Sequence, residues 1–174
     1  MNIVLIGFKS AGKSTVAKLL AKRLNRSFID IDDTITEIYE EKYSEKLTVR
    51  EIYIKLGDAG FRVLEKEVTQ TLCQVVNSVI AAGGGTVCDP SNVKVLKKHG
   101  WLVYLDVPIE VLRKRILEDS SLEFLDVNHP ARRFEKTYHE RQIIYKEIAD
   151  LMINTENKTT EEIVNMIKES YYGQ

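Results

Sequence analysis

Cysteine, proline, histidine and tryptophan are all scarce in this 174-residue chain, and long apolar runs are missing. The two cysteines, Cys73 and Cys88, form no CxxC pair and no cluster with the three histidines. That pattern excludes a disulfide framework and argues against a zinc site, so both are expected as buried, reduced thiols. Three prolines and nine glycines are too few for a Pro- or Gly-rich linker, and no internal repeat or low-complexity tract interrupts the sequence. One domain spanning 1–174 follows. No stretch approaches the ~18 consecutive apolar residues of a membrane helix. The run Ile3-Val4-Leu5-Ile6 is too short for a signal peptide and has no basic region before it, so a cytoplasmic protein is expected. Neither sign of charge prevails: 25 basic and 26 acidic side chains leave a net charge of −1. A broad surface for nucleic acid or membrane is therefore not expected.

What is present is ordinary globular material, 44% hydrophobic and 29% charged, enough to bury a core. Short apolar runs alternate with longer helical patterns. Strands are expected at Ile3–Ile6, Ser27–Asp30, Ser78–Ala81, Trp101–Leu105 and Leu151–Asn154. Helices are expected at Lys13–Leu24, Thr34–Glu41, Thr48–Leu56, Asp58–Val76, Ser91–Lys98, Pro108–Leu117, Ala131–Ile148 and Thr160–Glu169. Segment 118–130 has weak periodicity and reads as a mobile loop. Continuous apolar strands alternating with helices imply an α/β fold, a parallel sheet covered on both faces.

The segment Gly7-Phe8-Lys9-Ser10-Ala11-Gly12-Lys13-Ser14-Thr15 matches GxxxxGK[ST], with a strand before it and a helix after. The glycines let backbone approach phosphate, and successive N–H groups at the helix start face the anion. Gly7, Ser10, Ala11, Gly12, Lys13, Ser14 and Thr15 are thus candidate ATP-binding residues. Lys13 would reach the terminal phosphates, and the Ser14 hydroxyl would ligate Mg²⁺. Thr15 also serves simply as a first-turn helix residue. Lys9 adds a second cation inside the loop. Two roles are open to it, a solvated side chain or a charge facing the transferred phosphoryl group.

Asp30-Ile31-Asp32-Asp33 ends the second strand, where open α/β sheets bind ligands. On an extended backbone Asp30 and Asp32 point to one side, while Asp33 points away or caps the next helix. Asp30 would assist Mg²⁺ and Asp32 would accept a substrate proton. The alternative is that these aspartates only cap the helix expected at Thr34.

Taken in order, Gly7 to Thr15, Asp30-x-Asp32, Gly60-Phe61-Arg62-x-x-Glu65, Gly83-Gly84-Gly85, Val103-Tyr104-Leu105 and Glu140-Arg141-x-x-x-Tyr145 resemble the shikimate kinase family over nearly the whole chain. The resemblance implies a P-loop NTPase three-layer sandwich of the nucleoside-monophosphate-kinase type, with a five-stranded parallel sheet. It implies transfer of the ATP γ-phosphate to the 3-hydroxyl of shikimate, in chorismate biosynthesis. The sequence itself is silent on oligomeric state; a monomer is expected. The resemblance also implies an acceptor-binding region at about 32–62 and a lid at about 118–130. Arg62 and Arg141 suit a carboxylate through charge-assisted hydrogen bonds. Glu65, three residues after Arg62, can fix its side chain. Gly83, Gly84 and Gly85 would let a substrate hydroxyl approach the backbone. Arg115 matches the family position that packs on adenine; a solvated helix charge is the other reading.

One departure stands out. Where the family's lid carries Arg-Pro-Leu-Leu, this chain reads Ser120-Ser121-Leu122-Glu123-Phe124-Leu125. The missing cation is supplied by Lys9, by one of Arg113, Arg132 or Arg133, or not at all. In the last case the acceptor is another hydroxylated acid or a nucleotide, or the chain is a non-catalytic nucleotide-binding module. Ile143 also replaces the family's proline, two residues after Arg141.

Overall fold

In a computed structural model, residues 1–118 and 130–173 are described. Their five strands are β1 (Asn2–Ile6), β2 (Ser27–Asp30), β3 (Ser78–Ala81), β4 (Gly100–Asp106) and β5 (Leu151–Asn154). All pair in parallel, in the order β2-β3-β1-β4-β5. The expected five-stranded parallel sheet is therefore observed. The intervening helices are α1 (Lys13–Leu24), α2 (Ile31–Tyr43), α3 (Val49–Thr71), α4 (Pro90–His99), α5 (Ile109–Glu118), α6 (Pro130–Ile148) and α7 (Thr160–Tyr172).

The central strand β1 is buried throughout, and its side chains alternate between two cores. Ile3 and Leu5 pack with Val16, Leu20 and Val164 on the α1/α7 face. Val4 and Ile6 pack with Val68, Leu96 and Tyr145 on the α3/α4/α6 face. Burial on both faces explains why the strands read as unbroken apolar runs.

The main departures from the expected boundaries lie in α2 and α3. Helix α2 starts at Ile31 rather than Thr34, because Asp30 itself is the N-cap and accepts from Asp32 N at 3.0 Å. The helices expected at Thr48–Leu56 and Asp58–Val76 form one element, α3, broken at Gly57, where φ is 67° and ψ 175°. That element ends at Thr71, short of Val76, which is exposed. Cys73 and Cys88 are free thiols as expected, but Cys73 is half-buried and Cys88 exposed, so the expected burial does not hold. The lid expected at about 118–130, with Ser120 to Leu125, lies outside the described residues. Among the described residues, no helix is long and apolar enough to cross a membrane.

Candidate active site

The carboxyl ends of β1, β2 and β3 converge on one cleft. The turn after β1 places Gly12 before α1 in left-handed backbone (φ 84°), with no side-chain cap and no acidic residue in the first turn. Asp30, Thr48, Asp89 and Thr159 cap α2, α3, α4 and α7 with their side chains. The start of α1 thus keeps its N–H groups and its positive dipole end for an outside anion. Ser10 adopts φ 62° without being glycine, and its carbonyl accepts from Arg115 at 3.1 Å. Arg115 is accordingly brought to the loop, as its candidacy for the nucleotide side requires.

Lys13 is buried and donates to the Phe8 carbonyl at 2.8 Å. Burial lowers its pKa to about 8, against the opposing pull of Asp32 and Asp30. Ser14 Oγ donates to Asp30 Oδ2 at 2.6 Å, so these two oxygen donors stand side by side. Asp32 is the second residue of α2, within its first turn, not on extended backbone. It nevertheless shares the field of Asp30, Lys13 and Glu65, and burial followed by Asp30 raises its pKa to about 6. Asp33 does not cap α2; that role falls to Asp30.

The cleft beside this cluster has a volume of about 870 Å³ and is lined by Lys9, Asp32, Arg62, Gly83, Gly84, Gly85 and Arg141 among others. Arg62 donates to Glu65 Oε2 at 2.6 Å, as its spacing on one helical face suggests. Glu65 is buried and takes a second bond from Thr86 Oγ1 at 2.9 Å, so its carboxylate is anchored from both sides. A Cβ at Gly83 would lie 2.8 Å from Asp32 Oδ1 and 2.8 Å from Thr86 Oγ1. A side chain at Gly83 would therefore displace Asp32 or Thr86. Arg141 and Tyr145 both donate to the Gly84 carbonyl, at 3.1 and 2.5 Å. The Arg141 guanidinium also stands 5.7 Å over the Phe8 ring, which ties α6 to the phosphate loop.

Of the replacements considered for a lid cation, Arg113 is engaged elsewhere, with Glu110 at 2.9 Å and Glu135 at 2.6 Å. Lys9 and Arg133 line the cleft. The Arg132 side chain is outside the described residues. Thr15 is exposed on α1. Tyr53, Asp58 and Phe61 also line the cleft and were not among the candidates; Tyr53 and Phe61 are edge-to-face at 5.4 Å. Tyr53 lies four residues before Gly57 and Asp58 four before Arg62, and that both stretches of α3 line one wall is legible only once the Gly57 break is known.

A family model described as shikimate kinase matches residues 9–172. The chain belongs to the shikimate kinase family. It is 39% identical to a shikimate kinase of Aromatoleum aromaticum over 88% of this chain and 85% of that one. It is 35% identical to one of Thermodesulfovibrio yellowstonii over 98% and 94%. A solved shikimate kinase from Acinetobacter baumannii, in complex with shikimate, superimposes with a TM-score of 0.87 at 32% identity, covering 99% of this chain and 93% of that one. A thymidylate kinase from Candida albicans, at 15% identity and TM-score 0.58, shares the fold. The shikimate kinase resemblance read from the motifs is therefore shown.

Proposed function

We propose that this chain transfers the γ-phosphate of ATP to the 3-hydroxyl of shikimate, giving shikimate 3-phosphate and ADP, with the residues of the cleft in the following roles. The observation that carries the assignment of roles is the convergence, within one cleft, of an uncapped helix start, a carboxylate poised near neutrality and two arginines suited to a carboxylate. The ATP phosphates lie along Gly7 to Thr15, where their oxygens compete with the Phe8 carbonyl for the Lys13 ammonium. Arg115 sits on the nucleotide side. Arg62 and Arg141 take the acceptor carboxylate, and Gly83 to Gly85 let the ring approach the backbone.

Asp32 accepts the hydroxyl proton as the acceptor oxygen bonds to the γ-phosphorus. The bond between that phosphorus and the bridging oxygen breaks, and ADP leaves with the electron pair. Little covalent chemistry is asked of the protein, so placement and charge carry the rate. The donor set Ser14 Oγ and Asp30, all oxygen and joined at 2.6 Å, fits Mg²⁺, which takes few protein ligands beside water and phosphate. When bound there, Mg²⁺ would neutralise charge on the β- and γ-phosphates. A cytoplasmic monomer is proposed as well: every residue given a role above belongs to one chain, so these roles ask for no second copy.

The test is product identity. Incubated with ATP, Mg²⁺ and shikimate, the protein should yield one new phosphomonoester by ³¹P NMR, attached at the 3-hydroxyl. ATP hydrolysis without a phosphorylated acceptor would refute the proposal.

A further inference from the structure

We propose that Arg133 is a further acceptor-binding residue, the outer rung of a cationic ladder on α6 that engages the acceptor carboxylate at the cleft mouth and hands it inward. This rests on the reading of Arg62 and Arg141 given above. Arg133, Thr137 and Arg141 follow one another at four-residue spacing on α6, and all three line the cleft. That spacing puts them on one helical face, about 12 Å from first to last. The inner rung, Arg141, is tied to the Gly84 carbonyl and stands over Phe8. The outer rung, Arg133, is exposed, and no described residue is hydrogen-bonded to it or paired with it.

The acids beside it on α6 are turned to other partners. Glu135 pairs with Arg113 at 2.6 Å, and Glu140 lies 3.8 Å from Lys136. The α6 wall of the cleft therefore carries cations at both ends, with the Thr137 hydroxyl between them and no carboxylate along the way. Tyr53 of α3 lines the same cleft. Burial and Asp58 push the Tyr53 hydroxyl up, and Arg133 together with Arg62 acts on it in the other direction. The Arg133 charge is thus felt at Tyr53 on α3, and both residues line the cleft. At the inner end the Arg62 charge is already partly offset by the buried Glu65.

The experiment is steady-state kinetics of wild type, Arg133→Met and Arg133→Lys with shikimate and ATP, at low and high salt, with thermal denaturation of each. For Arg133→Met the expected result is a KM for shikimate raised roughly five- to tenfold, with kcat within about twofold and KM for ATP unchanged. Lysine should restore most of the loss. Wild-type KM should rise more steeply with salt than that of Arg133→Met, because a screened contact has been removed from the variant. An unchanged KM for shikimate overturns the proposal. So does a fall in kcat at constant KM, which would set Arg133 against the transferred phosphoryl group instead. A lowered melting temperature without rescue by lysine would make the residue structural and also overturn it. Wild type inactive with shikimate would defeat the acceptor assignment itself, and this inference with it. Active wild type beside an indifferent Arg133→Met defeats this inference alone.

Discussion

Asp32 is held where its charge is costly. Burial and Asp30 raise its pKa from 3.8 to about 6 although Lys13 pulls the other way. A carboxyl raised in the folded state contributes stability below about pH 3.8 and loses it as pH climbs through 6. At pH 7 the ionised group therefore costs on the order of 1–3 kcal/mol. Asp32→Asn should unfold at higher urea concentration at pH 7, with the gain vanishing toward pH 4, while phosphoryl transfer falls by ~10²-fold or more. Loss of both stability and activity would contradict this balance. The same ionisation should give kcat/KM for shikimate an acid limb near pH 6. Lys13, lowered by burial to about 8, should give kcat/KM for ATP an alkaline limb near pH 8 as its ammonium is lost. Flat profiles across both ranges would exclude these two groups from binding and chemistry. Lys9 shares the cleft, and a Cβ on Gly84 would lie only 3.0 Å from its backbone nitrogen. If Lys9 faces the transferred phosphoryl group, Lys9→Met lowers kcat more than ~10-fold. An unchanged kcat excludes Lys9 from that role.

At the scale of elements, α3 decides the acceptor wall. Gly57 breaks it at φ 67° and ψ 175°, a combination open to glycine and strained for any L side chain. Arg50, Tyr53 and Ile54 line the cleft from before the break, Asp58, Phe61 and Arg62 from after it. A Cβ at Gly57 would meet nothing within 4 Å, so the cost of a side chain there is conformational and not steric. Gly57→Ala should destabilise by ~1–3 kcal/mol in urea unfolding and raise KM for shikimate, because relief of the strain straightens α3 and moves Arg62. Unchanged stability and KM would show that the break is not what shapes the wall. The apolar pattern on either side of Gly57 announced two helices; that they form one bent wall depends on backbone angles which composition does not encode. Similarly, Asp30 was legible as a strand-end aspartate and as a possible metal-side residue, yet its capping of α2 shifted the helix start by three residues.

For the whole molecule, the strands, the phosphate loop and the Arg62–Glu65 pair were legible because each rests on local spacing or on burial of both sheet faces. The contacts across the cleft were not. The bonds from Arg141 and Tyr145 to the Gly84 carbonyl join residues 57 and 61 positions apart. The Arg115 bond to Ser10 spans 105. Such pairs follow from the order of strands in the sheet, not from neighbours in sequence. The same order brings one acceptor cleft and one phosphate loop face to face, so the account stands or falls on which hydroxyl the cleft accepts. The direct measurement is kcat/KM for ADP release with Mg²⁺ and ATP across shikimate, gluconate and nucleoside monophosphates. Shikimate should exceed every other acceptor by ~10²-fold or more: a nucleoside monophosphate brings no carboxylate to Arg62 and Arg141, and gluconate brings one on an open chain whose hydroxyls must first be ordered. Comparable turnover of a nucleotide or another hydroxy acid, or none with shikimate, would contradict it.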